Sequence, residues 1–140
     1  MFSPSRDQVR QFFFAAWRKY RAAEPLEGLE RVAIEVTLLH PEYHHVLDDP
    51  ARFLDREYPP EDGEMNPFLH LSLHVAIEEQ LSIDQPAGVR AEFERLLASR
   101  GDRHDALHVV LECLGEVVWQ AQAARAVPDG EAYLECLRRR

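Results

Sequence analysis

Residues 67–83, PFLHLSLHVAIEEQLSI, are apolar around almost the whole circumference of a helix. Phe68, Leu69, Leu71, Leu73, Val75, Ala76, Ile77 and Leu81 leave only a narrow polar stripe, His70, His74 and Glu78, inside an apolar girdle. A helix that is apolar nearly all round must be largely buried. A polar stripe in such a helix needs hydrogen bonds, ion partners or a bound cation, because a bare buried charge is prohibitively costly. The segment therefore demands other elements around it, and the rest of the chain must supply them.

Those other elements also read as helices. A segment from about Ser5 to Ala22 has Ser5 as a capping residue and an apolar face of Val9, Phe12, Phe13, Ala16, Trp17 and Tyr20, with Phe14 at its edge. Glu24-Pro25 breaks the pattern, and a second helix is expected from about Glu27 to Leu39. Pro41 opens a short helical piece to Leu47. Residues 48–66, DDPARFLDREYPPEDGEMN, are rich in proline and charge and read as a loop with one short turn near Ala51–Arg56. A loop of that length in a compact domain suits a flap or cover. Asn66-Pro67 is a strong helix start, and Asp84, Gln85 and Pro86 end that helix. Further helices are expected from about Ala87 to Ser99, from an Asp102 cap to Ala126, and from Pro128 to the C-terminus. Gly101 stops the first of these three. No strand pattern appears. The expectation is an all-α bundle of five to six helices forming one domain over residues 1–140.

Composition narrows the function. A net charge of −9 argues against a nucleic-acid binder. The basic run Arg138, Arg139 and Arg140 closes a helix, where cations complement the dipole. No apolar run is long enough for a membrane span. The N-terminal charges Arg6, Asp7 and Arg10 precede any apolar stretch, unlike a secretory signal. Cys113 and Cys136 lie outside any CxxC pattern, so a disulfide is not expected, and a reducing compartment, the cytoplasm, fits. A homo-oligomer is allowed; no protein partner can be named.

The chemistry-bearing feature is a pair of ladders. One is His70, His74 and Glu78; the other is His104, His108, Glu112 and Glu116. Residues four apart stack on one helix face and can converge on one ion about 2.0–2.2 Å from each donor. A residue eight apart sits about 12 Å along the axis and suits a second ion or an outer position. The expected metal ligands are His70, His74, His108 and Glu112, with Glu78 and Glu116 as bridging or outer groups. His104 reads as a surface or capping residue. His/carboxylate donors suit zinc, iron or manganese. The ferritin-like Glu-x-x-His pattern is absent, and the haemerythrin-like spacings occur only in a different order. The cluster His40-Pro41-Glu42-Tyr43-His44-His45 reads as a surface junction, although Glu35, His40 and His44 are the candidates for any missing side of a site. The alternative to a metal site is a hydrogen-bonded His/Glu seam in a non-enzymatic interaction module. P-loop, GxGxxG and GxSxG motifs are absent, and no reaction can be read.

The stretches PSRDQVRQFFFAAWRKY, HPEYH, NPFLHLSLHVAIEEQLSIDQPAG and HVVLECLGEVVWQAQ resemble a bacterial family catalogued as a domain of unknown function, with single-domain members of about this length. The resemblance spans nearly the whole chain. It implies a bacterial, cytoplasmic, helical protein and assigns no residue roles.

Overall fold

Ser5 begins the first helix with a reciprocal cap. Its hydroxyl accepts the Gln8 N–H at 3.1 Å, and the Gln8 side chain accepts the Ser5 N–H at 2.8 Å. In the computed structural model, which describes residues 5–140, this helix is α1, Arg6–Arg21. It is followed by α2 (Leu29–Leu38), α3 (His44–Leu47), α4 (Pro50–Phe53), α5 (Pro67–Ile83), α6 (Val89–Arg100), α7 (Arg103–Ala124) and α8 (Gly130–Arg138). Short 3-10 turns cover Pro41–Tyr43 and Pro60–Asp62. The described residues contain no strand, so the fold is all-α. The reading of the N-terminus as no secretory signal draws partly on residues 1–4, which lie outside the described residues.

The helix count corrects the expectation of five to six: eight α-helices are present among the described residues. The additions are four-residue pieces. The segment 41–47 divides into a 3-10 turn and α3, and the expected loop 48–66 contains α4. Asp49 accepts the Arg52 N–H at 3.3 Å and Pro50 occupies the first turn, a start signal too brief to leave an apolar period.

The chain divides into two compact units, the first ending at Val75 and the second running from Ala76 to Arg140. In the first, Phe13, Phe14, Ala16 and Trp17 of α1 share a core with Ala33, Ile34 and Val36 of α2, with Val46, Leu47 and Phe53 of the short helices, and with Phe68, Leu71 and Val75. Phe14 meets the Phe68 ring at 5.4 Å. Polar contacts tie the pieces together. Trp17 Nε1 donates to Asp48 at 2.7 Å, and Lys19 pairs with Glu30 at 2.8 Å. Arg10 is only 1 % exposed. One of its terminal nitrogens donates to the carbonyls of Phe53, Leu54 and Arg56 at 3.3, 2.9 and 2.7 Å. Its guanidinium lies 4.7 Å from the Phe68 ring centroid.

In the second unit, Val89, Phe93 and Leu96 of α6 are buried, as are Leu107, Val110, Leu114 and Val117 of α7 and Tyr133, Leu134 and Leu137 of α8. α6, α7 and α8 pack on one another. Asp102 caps α7 by accepting the Asp105 N–H at 3.0 Å, and Asp129 caps α8 at Glu131 and Ala132. Gly101, at φ +74°, ends α6 in the left-handed conformation that glycine adopts at least cost. Buried Tyr133 donates its hydroxyl to Gln80 at 2.7 Å, and burial raises its pKa. Cys113 and Cys136 form a disulfide between α7 and α8, with Cα atoms 5.8 Å apart. This overturns the expectation of unbridged cysteines. The 23-residue separation gives no spacing signature; the antiparallel return of α8 onto α7 brings the two positions together. The argument from free thiols to a reducing compartment falls with it. No helix among the described residues is long and apolar enough to cross a membrane.

Candidate metal centre

Pro41 decides where His40 goes. The residue before proline is excluded from the helical region, and His40 sits at φ −127°, ψ 66°, just past the end of α2. That turn carries its side chain inward, where only 1 % of the residue is exposed. His40 Nδ1 lies 2.8 Å from the carbonyl oxygen of Val36. A carbonyl only accepts, so Nδ1 carries the proton and the Nε2 of the neutral ring keeps its lone pair. A protein carbonyl fixing one ring nitrogen so that the other can bind a metal is the common outer support of ligating histidines.

α5 supplies two more imidazoles. Asn66 starts this helix by accepting the N–H groups of Phe68 and Leu69 at 3.0 and 3.3 Å. His70 and His74 then stand one turn apart on its polar stripe, with ring centroids 4.9 Å apart. His74 is 2 % exposed and His70 is half-buried. The His40 ring is 4.9 Å from His70 and 4.5 Å from His74. His40 Nε2 and His70 Nε2 are 3.3 Å apart, and the candidate donor atoms of the three rings all lie within 4.8 Å of one another.

Tyr43 packs beside the cluster, nearly parallel to His40 at 5.9 Å and edge-on to His70 at 5.7 Å. Burial, and secondarily the charge of Glu42, raise its hydroxyl pKa, so the ring stays neutral there. His44 is directed elsewhere: its Nε2 donates to the Thr37 carbonyl at 2.8 Å, and its ring lies 4.6 Å from Trp17. His45 and Glu35 are exposed.

The expected imidazole and carboxylate ligands have different surroundings. His70 and His74 come together with His40, which leaves the surface junction read for the 40–45 cluster, while Pro41, Glu42 and His45 are exposed. The signal for it was present, since a histidine before proline at a helix end must leave the helix direction. Two of the three ladder carboxylates stand in ion pairs. Glu78 pairs with Arg103 at 3.0 Å, and Glu112 with Arg140 at 2.7 Å. Exposed Glu116 lies 3.9 Å from the Cys136 sulfur. His108 is half-buried on α7, with its ring 4.2 Å from that of His104.

Geometry favours a particular coordination. In a tetrahedron with metal–nitrogen bonds of about 2.0–2.1 Å, neighbouring donors are about 3.3–3.4 Å apart, whereas cis donors of an octahedron with such bonds are about 2.8–3.0 Å apart. The His40–His70 separation of 3.3 Å matches the tetrahedral edge. An all-imidazole donor set suits zinc and its late first-row neighbours and does not suit magnesium, calcium or manganese.

No curated protein matches the chain, and no solved structure does. One family does match, over residues 5–139, and on that coverage the chain belongs to the family described as Domain of unknown function (DUF1841).

Proposed function

We propose that this protein binds one divalent transition-metal cation of the zinc class through His40, His70 and His74. The observation that carries the reading is the 3.3 Å separation of the His40 and His70 Nε2 atoms, with the His40 ring held through Nδ1 by the Val36 carbonyl. Zinc is preferred to iron or manganese because the site gathers imidazoles, while Glu78 and Glu112 are paired with arginines. Glu78, Glu112 and Glu116 accordingly stand outside the coordination sphere in this reading. A tetrahedral ion has a fourth position, for which the ladder in the sequence nominates His108.

A second reading rests on the same contact. A 3.3 Å approach of two ring nitrogens is also a long N–H···N hydrogen bond, so the three histidines would form a structural seam in an interaction module. Calorimetric titration of chelator-treated, untagged protein with zinc separates the two. The metal reading expects one equivalent bound, and binding at least about 100-fold weaker in His40→Ala, as for loss of any group that holds a metal. Circular dichroism establishes that the variant is folded. The His108→Ala protein assigns the fourth position: a similar loss places His108 on the ion, and retained affinity places water there. Less than about 0.1 equivalent bound at zinc concentrations that load ordinary protein sites leaves only the seam.

A further inference from the structure

The Cys113–Cys136 disulfide is unequally buried. Cys113 has no exposed surface, whereas Cys136 is half-buried and lines a cleft of about 350 Å³ in the second unit. Glu116, Gln120, Glu135, Arg139 and Arg140 line the same cleft. Cys136 therefore has surface open to solvent and Cys113 has none. The cleft also presents guanidinium and carboxylate groups together. Arg139 lies 3.2 Å from Glu135, and the Glu116 carboxylate lies 3.9 Å from Cys136 Sγ.

We propose that Cys136 is a site of thiol–disulfide exchange with a small zwitterionic thiol, one bearing both ammonium and carboxylate groups. The arginines meet its carboxylates and the glutamates meet its ammonium. The inference is independent of the metal reading. The incoming thiol loses its proton to solvent, and its thiolate attacks Cys136 Sγ. The Sγ–Sγ bond breaks, its electron pair leaves on Cys113 Sγ, and that sulfur takes up a proton. The sum is one thiol plus the disulfide giving a mixed disulfide on Cys136 and a Cys113 thiol. A second thiol attacking the added sulfur releases the oxidised small disulfide and leaves Cys136 as a thiol. The protein is then reduced by two electrons. A thiolate enclosed by α7 is disfavoured, so the first step is readily reversed by Cys113, and the mixed disulfide persists only when that residue is removed.

Glutathione is the probe. Folded Cys113→Ser protein incubated with oxidised glutathione should gain one glutathionyl group, mapped to Cys136. Folded Cys136→Ser protein should remain unmodified until denaturant exposes Cys113. Reduced glutathione should also open the native disulfide about threefold faster than 2-mercaptoethanol at equal thiolate concentration, an advantage the size of one exposed ion pair, and Arg139→Ala should erase it. Should either serine variant not fold, acid-quenched wild-type protein taken early in its reaction with glutathione identifies the attacked sulfur directly. Modification of Cys113 in folded protein, or no modification of Cys136, overturns the site. Equal rates with the two thiols overturn the zwitterionic ligand.

Discussion

Zinc added to chelator-treated protein at about 100 times its dissociation constant should stabilise the fold by about 2.7 kcal/mol. For a chain of this size that corresponds to a rise in Tm of about 8 °C, read by differential scanning calorimetry. The gain follows from linkage: the unfolded chain does not hold His40, His70 and His74 together, so the ion binds the native state and draws the equilibrium toward it. His74 is the decisive residue to remove, because it is almost fully enclosed and its ring is 4.5 Å from His40. His74→Ala should lower the metal-free Tm somewhat and abolish the rise. His45→Ala serves as the control, since that side chain is exposed and lies edge-on to Phe53 at 5.7 Å; it should keep the whole rise. A wild-type shift below about 1 °C at saturating zinc would count against any site coupled to folding.

Arg10→Leu should cost about 3 kcal/mol. Replacing a buried charge with an apolar side chain is often harmless, because the partner charge is replaced as well. Here the partners are backbone carbonyls, which no substitution removes. The part-buried carbonyls of Leu54 and Arg56 would lose this donor, at about 1–3 kcal/mol for each that finds no water, while the Phe53 carbonyl keeps the Arg56 N–H at 3.3 Å. The ring contact with Phe68 would be lost too. Urea denaturation should show a lower midpoint with an unchanged slope, as expected when stability changes and the cooperative unit does not. Segment 50–65 should become more sensitive to proteolysis in the same variant. A change within about 0.5 kcal/mol would show that Arg10 does not hold this segment.

The two results concern features that differed greatly in how plainly they stand in the sequence. The girdle of α5 was legible because seventeen residues give the helical period room to repeat, and the caps at Ser5, Asn66 and Asp102 were legible because each has a specific donor to satisfy. The helices α3 and α4 were legible only as a short helical piece to Leu47 and a turn near Ala51–Arg56, since four residues make barely one turn and their stability comes from Val46, Leu47 and Phe53 reaching the core. Arg10 reads in the sequence as one more charge in a polar N-terminal run. Nothing local announces that it will meet carbonyls more than forty positions away.

The ladders show the same division. Spacing identified His70 and His74 as neighbours, because that relation is internal to one helix. It also placed Glu112 among the ligands, with Glu78 and Glu116 as bridging or outer groups. Yet Glu78 and Glu112 find Arg103 and Arg140, long side chains whose reach no spacing rule describes. His40 shows that a non-periodic position can matter more than a periodic one: proline turned it, and the Val36 carbonyl fixed its ring. The disulfide belongs with these cases, because its partners are set by how α8 returns along α7.

Cobalt(II) substitution reads the coordination itself. Cobalt occupies zinc-type sites, and its visible d–d bands are intense in tetrahedral and weak in octahedral surroundings. Titration of the metal-free protein should produce intense visible bands that saturate at one equivalent, disappear on adding zinc, and fail to form in His40→Ala and His74→Ala. Absorption no stronger than that of cobalt in buffer, at every ratio of metal to protein, would contradict a histidine metal centre at His40, His70 and His74.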